Sequence, residues 1–153
     1  MDLGISPIGH VIGGRSETID DDWGDSEAFI QLEEPTFKHE ALMGLEGFSH
    51  AEVIFLFHKV PDEKIETGAR HPRGRADWPR IGIFAQRGKN RPNRLGLTTC
   101  EILRVEGTRL YLRGLDAIDG TPVLDIKPVM KGFQPRTEVT EPDWAKEIMS
   151  AYW

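Results

Sequence analysis

A single cysteine, Cys100, is all the thiol the sequence has, which excludes an internal disulfide and any zinc site built on several cysteines. Long hydrophobic runs are missing too. The longest wholly apolar stretch, Val53-Ile54-Phe55-Leu56-Phe57, has five residues, against the ~20 a membrane helix needs. Met1-Asp2-Leu3-Gly4 supplies neither a basic start nor an apolar segment, so no secretory signal is read and a cytoplasmic location is expected. The five histidines (His10, His39, His50, His58, His71) show no H-x-x-x-H or H-E-x-x-H spacing, and no metal is expected. No G-x-S-x-G occurs, and no G-x-G-x-x-G follows a strand. Gly82 and Gly88 precede Lys89, but their spacing is one residue too long for a P-loop and Asn90 replaces Ser or Thr. Cys100 falls within an apolar, strand-like run and reads as core rather than nucleophile.

What remains is enough for a packed core: 39% hydrophobic and 29% charged residues in a chain of 153, the size of one domain over 1–153. The net charge of −6 hides a strong asymmetry. Between Arg70 and Arg94 lie eight basic residues (Arg70, Arg73, Arg75, Arg80, Arg87, Lys89, Arg91, Arg94) and one acid, Asp77, a window of +7 that leaves −13 for the rest. Acid gathers early, at Glu17, Asp20, Asp21, Asp22, Asp25 and Glu27. An anionic ligand or RNA at one face fits this polarity; so do arginines that are merely solvated or paired with the acidic run.

Short strands are expected at Pro7–Ile12, Ala28–Leu32, Val53–Phe57, Ile81–Ala85, Leu97–Val105, Arg109–Leu112 and through Val123, Leu124 and Ile126. Glu106-Gly107-Thr108 reads as a hairpin turn. Val53–Phe57 reads as a central strand buried on both faces. Residues 15–27 read as a loop free to move, and 60–80, with Pro61, Gly68, Pro72, Gly74 and Pro79, as a long basic loop. Glu40–Gly47 should hold a turn of helix. From Glu141 a helix is expected, capped by Thr140, with Trp144, Ile148 and Tyr152 on one face. The sum is a mainly β barrel or sandwich without a βαβ rhythm.

Five segments carry more information than their periodicity: Pro7-Ile8-Gly9-His10-Val11, Gly44-Leu45-Glu46-Gly47-Phe48-Ser49-His50, Phe57-His58, Gly82 to Gly96, and Asp119-Gly120-Thr121-Pro122-Val123-Leu124-Asp125-Ile126-Lys127-Pro128. In order and over about residues 5–130, they resemble the TsaA/TrmO family of S-adenosylmethionine-dependent methyltransferases. Two departures stand out. Arg87-Gly88 replaces an Arg-Ser pair, and Asn93-Arg94-Leu95-Gly96 replaces N-P-I-G. The family's glutamine-proline loop is also absent from residues 13–27, which are acidic instead.

The resemblance implies a single-sheet β-barrel with short peripheral helices and a C-terminal helix, and S-adenosylmethionine as methyl donor. By resemblance, Phe57, His58, Arg87, Leu97, Thr121, Pro122, Val123 and Leu124 bind it. It further implies a homodimer, for which the C-terminal helix is the local candidate, and tRNA as partner, with N6 of a threonylcarbamoyl-modified adenosine beside the anticodon as acceptor. His58 is the titratable group placed to take a proton. Arg73, Arg75, Arg91, Asn93 and Arg94 are the expected substrate contacts, with Trp78 the candidate for stacking a base and the acidic run turned away from the RNA. Plainer alternatives stand beside these. Phe57 also reads as core, Asp119-Gly120 as turn chemistry, Asp125 and Lys127 as an ion pair, and Arg91, Asn93 and Arg94 as surface charge. Methylation of a small molecule, or donor binding without catalysis, are the rival functions.

Overall fold

The computed structural model describes all residues from Met1 to Trp153. Six strands close into one antiparallel barrel: β1 (Gly9–Ile12), β2 (Glu27–Leu32), β3 (His50–Leu56), β6 (Leu95–Glu106), β7 (Arg109–Arg113) and β8 (Pro122–Pro128). Their order around the barrel is β1-β2-β7-β6-β3-β8, and β8 returns to β1 through Gly9↔Val123 and His10↔Pro122. Closure leaves this sheet no free edge. β4 (Ala69–Arg70) and β5 (Ile81–Gly82) form a separate two-stranded ladder that ties off the base of the 60–80 loop.

Alternation decides which side chains fill the barrel. Val11, Ile30, Val53, Phe55, Cys100, Leu110, Leu112 and Val123 point inward and are sealed from solvent. Cys100 is therefore core, its thiol pushed far up in pKa by burial. Two glycines of the quoted segments are steric necessities. A Cβ on Gly9 would overlap the Gln31 carbonyl oxygen, and one on Gly96 would sit within 2.5 Å of the Phe55 ring.

Several expectations need correction. β3 is not buried on both faces: Ala51, Val53 and Phe55 alternate with half-exposed Glu52, Ile54 and Leu56, because β3 is a barrel strand with a solvent side rather than a layer between helices. The first strand starts at Gly9, after the proline that lacks a donor. The Ile81–Ala85 run is strand only to Gly82 and then turns as a 3-10 segment, Ile83–Ala85. There Ile83 is buried, and Gln86 Nε2 donates to the carbonyls of Arg70 (3.2 Å) and Ile81 (3.0 Å). The turn of helix expected in Glu40–Gly47 is present, as two 3-10 segments, His39–Leu42 and Leu45–Gly47. The C-terminal helix α1 is short, Asp143–Ile148, with Pro142 at its N-cap and no side-chain cap from Thr140.

Residues 15–27 are not a free loop. Arg15 stacks on Trp23, whose ring is buried, and the backbone N–H groups of Asp22 and Trp23 donate to the carbonyls of Ala151 (3.0 Å) and Tyr152 (2.8 Å). The C-terminal tail thus straps this loop. Tyr152 donates its hydroxyl to Asp116, which also accepts from Thr98 on β6. Because the Tyr152 oxygen donates from a mostly buried position, Tyr152→Phe should loosen the strap. We expect a loss of about 1–2 kcal/mol in denaturant unfolding, with faster exchange of the Asp22 and Trp23 amides.

Candidate functional site

The strand order brings the resemblance-implied cofactor residues to one region, the end of β3 where the chain leaves the barrel. There Leu56 faces Leu95 and Ile54 faces Leu97 across the β3–β6 ladder, while Phe55 pairs with Val123 across β3–β8. The β3–β8 register slips between Ile54 and Phe55, leaving Leu124 as the extra residue of a bulge. A bulge re-aims a side chain at the point where it interrupts pairing. The outward side chains Leu95 and Leu97 are 42% and 46% exposed, an apolar strip on a surface that water would ordinarily claim.

Individual residues contribute differently. Val123 and Thr121 are buried, so outward recognition at this segment falls to half-buried Pro122 and Leu124 and to the main chain. The Thr121 carbonyl accepts from Val11 (2.9 Å), and Asp119 accepts from the Gly13 N–H (2.9 Å), so the Asp119-Gly120 turn is stitched to the end of β1. Phe57 packs against the core with its ring edge-on to Phe55, centroids 5.2 Å apart. Arg87 is exposed and donates to the Leu97 carbonyl, which fixes the arginine segment beside the strip.

His58 follows Phe57 on the turn out of β3. Its backbone N–H donates to the Leu56 carbonyl (2.8 Å). Desolvation, then the nearby Lys59 and His10 charges, lower its pKa below the usual 6.5, against a hydrogen bond of the ring to the Leu56 backbone that raises it. The imidazole is therefore neutral at pH 7 and able to accept a proton. The unfolded chain binds this proton more readily than the folded one, so His58 costs stability as pH falls below 6.5 toward the folded value. An NMR titration should place its midpoint below 6.5, and His58→Gln should remove that part of the acid sensitivity.

The five expected substrate contacts are not presented as one free surface. Arg73 pairs with Asp21 (2.9 Å) and Arg75 with Asp77. Arg91 donates to the Gln86 carbonyl (2.6 Å), and Arg94 to the Val60 carbonyl (2.7 Å) while facing Asp62 at 3.3 Å. Asn93 is exposed at φ 63° in the left-handed turn that leads into β6. Two expectations fail here. The acidic run does not turn away from the basic window, since Asp21 bonds to Arg73; the C-terminal strap draws the two loops together. Trp78 is no stacking platform. It is buried under Arg75, centroid distance 3.9 Å, and donates Nε1–H to Glu147 on α1 (2.6 Å).

Sequence reasoning missed Gln86, whose buried amide locks the turn between β5 and the arginine segment. Its only signal was a polar residue closing the apolar run Ile81–Ala85. Asp125 and Lys127 do form an ion pair, at 3.0 Å. No group of three His, Cys, Asp or Glu side chains is gathered as a metal would require, and no helix is long and apolar enough to cross a membrane.

A closed antiparallel barrel with Phe57-His58, Leu97 and the Thr121–Leu124 segment gathered at the end of β3, rather than a parallel sheet with a nucleotide crevice, defines a barrel-type class distinct from doubly wound nucleotide-binding folds. Residues 21–134 match the tRNA-methyltransferase O N-terminal domain family, and the chain belongs to that family. It is 39% identical over 119 residues to a tRNA (adenine(37)-N6)-methyltransferase of Homo sapiens, covering 76% of this chain and 26% of that protein. A putative S-adenosylmethionine-dependent methyltransferase, RcsF, of Pseudomonas aeruginosa is 39% identical over 133 residues, covering 84% of this chain and 55% of the relative. The crystal structure of TrmO from Pseudomonas aeruginosa superposes with a TM-score of 0.74 at 32% identity, over 92% of this chain and 61% of that one. The chain thus spans between about a quarter and three fifths of the length of these relatives.

Proposed function

We propose that this protein is an S-adenosylmethionine-dependent methyltransferase that modifies N6 of an adenosine beside the tRNA anticodon, one already bearing a threonylcarbamoyl group. The observation that carries the reading is the convergence of Phe57-His58, Arg87, Leu97 and the Thr121–Leu124 segment on the end of β3, in a family whose relatives include proteins named tRNA (adenine(37)-N6)-methyltransferase. These residues suit the donor chemically: apolar Leu97 and Leu124 for the adenosyl face, main-chain groups of Thr121–Leu124 for polar edges, and Arg87 for an acidic group. When bound, the donor supplies an electrophilic methyl on a cationic sulfur. The protein aligns the acceptor nitrogen and excludes water, and neutral His58 takes the proton that N6 loses.

Calorimetry with S-adenosylmethionine, followed by methyl transfer to bulk tRNA and to small-molecule fractions, tests the reading. Donor binding with transfer to tRNA supports it. Transfer only to small molecules favours a metabolite methyltransferase, and binding without transfer favours a sensor. Arg87→Ala should weaken the donor about tenfold, the lower range for a charge-assisted bond, because the guanidinium is exposed to water. Unchanged affinity would make Arg87 only a brace for β6.

The protein is further proposed to act in the cytoplasm as a homodimer. The C-terminal helix is a poor candidate for the contact, since Glu147 and Tyr152 are engaged within their own chain. Leu95, exposed at the edge of the strip and not assigned to the donor, offers the better surface. Light scattering at micromolar concentration should give twice the chain mass.

A further inference from the structure

Among the charged side chains, Arg70 is unlike the rest. Its Nε is buried and has no hydrogen-bond partner, and its terminal guanidinium nitrogens make no hydrogen bond to a protein atom. It belongs to no ion pair, although the chain outside its neighbourhood is strongly acidic. A charged N–H buried without an acceptor is costly, and such groups are few in native structures.

The backbone around Arg70 is held firmly. β4 pairs Arg70 with Ile81, and the buried Gln86 amide donates to the Arg70 carbonyl at 3.2 Å. The guanidinium lies against Gly88, where a Cβ would sit 2.6 Å from Nη2. Gly88 is the position where the family pattern quoted above has serine, so this posture depends on the glycine found here. Around the same turn, Arg87 and Arg91 donate only to neutral carbonyls, those of Leu97 and Gln86. Glu66 reaches the segment through its N–H on the Asn90 carbonyl (3.1 Å), but its carboxylate accepts from Thr67 and Gly68 and makes no ion pair. Arg70 thus lies against Gly88 and Arg91 against Gln86, while Arg87 reaches from the same turn to Leu97, and no carboxylate is bonded to any of the three.

We propose that this cluster is an anion-binding site in which Arg70, seated over Gly88, meets a carboxylate or phosphate oxygen of a ligand. A guanidinium favours planar, two-point contact with either group. Which ligand brings the anion rests on the methyl-transfer reading: it is the amino-acid carboxylate of the donor or a phosphate of the RNA acceptor. Arg70 would then discriminate ligands as well as hold them, because an unanswered guanidinium penalises a ligand without the anion.

Three variants and four probes test this. Inorganic pyrophosphate should raise the melting temperature of the wild type and of Arg70→Lys. It should not raise that of Arg70→Gln, nor of Gly88→Ala, whose methyl displaces the flexible end of Arg70 rather than any backbone. If the donor brings the anion, Arg70→Gln weakens S-adenosylmethionine at least tenfold in calorimetry and leaves its decarboxylated analogue unchanged. If the acceptor brings it, donor affinity holds and tRNA affinity falls at least tenfold in filter binding. Folded Arg70→Gln that matches the wild type toward pyrophosphate, donor and tRNA overturns the site. A wild type that binds neither donor nor tRNA, yet is stabilised by pyrophosphate through Arg70, keeps the anion site and sinks the methyl-transfer reading.

Discussion

Gly9→Ala should destabilise the protein by about 3 kcal/mol or more, at the top of the range for overpacking. Gly9 is the first residue of β1 and pairs with both Leu32 of β2 and Val123 of β8, so it sits at the seam that closes the barrel. Its added methyl would meet backbone on the β2 side, the Gln31 carbonyl oxygen and carbon and the Leu32 Cα. Backbone cannot rotate out of the way as a side chain can. The seam must therefore widen, and the bond from the Ile8 N–H to the Val123 carbonyl (2.8 Å) is stretched with it. For a chain of this length the loss corresponds to a fall in melting temperature of roughly 6–12 °C. Gly82→Ala is the control. Nothing lies within 4 Å of a Cβ there and its φ of −60° suits any residue, so the melting temperature should hold or rise slightly. Equal losses in the two variants would show that a general glycine effect, not the seam, governs stability.

The same pair of glycines shows what was legible in the sequence and why. Gly9 and Gly82 look alike as letters in apolar runs, yet one is a steric requirement and the other is open space. Only the approach of β2 separates them. Period-two alternation placed β2, β6, β7 and β8 within a few residues, because a barrel strand buries one face and the pattern records it. It misled for Val53–Phe57, where the outward residues Ile54 and Leu56 are apolar for a reason other than core packing: they face Leu97 and Leu95 on the candidate site's strip. It misled again at Ile81–Ala85, where a tertiary anchor, the Gln86 amide, turns an apolar run out of the strand. The site was legible as ordered motifs, but not the state of its charges. Counting arginines cannot show that Asp21, fifty-two residues away in the chain, reaches Arg73, or that Arg70 reaches nothing.

That charge state sets the last expectation, which rests on tRNA being the acceptor. Of the eight cations in the basic window, Arg73, Arg75 and Arg94 are paired with Asp21, Asp77 and Asp62, Arg87 and Arg91 are bonded to carbonyls, and Arg70 is seated over Gly88 with its Nε buried. Arg80 and Lys89 make no such bonds and are the cations most available to phosphates, so the double variant Arg80→Glu, Lys89→Glu should weaken tRNA binding about fiftyfold near 0.1 M salt. Each phosphate contact contributes roughly 0.7–0.9 to the slope of log affinity against log salt, so the double variant should also flatten that slope by about 1.4–1.8. Arg73→Glu would confound the result by setting a carboxylate against Asp21 and repelling the 15–27 loop. Asp21→Asn is the better probe there, because it releases Arg73 while keeping the side chain's size, and should strengthen tRNA binding and steepen the slope. Filter binding from about 50 to 250 mM salt measures both quantities together. If the double reversal leaves affinity and slope unchanged while Asp21→Asn does nothing, the window does not touch RNA phosphates, and a small acceptor becomes the better reading of the same barrel.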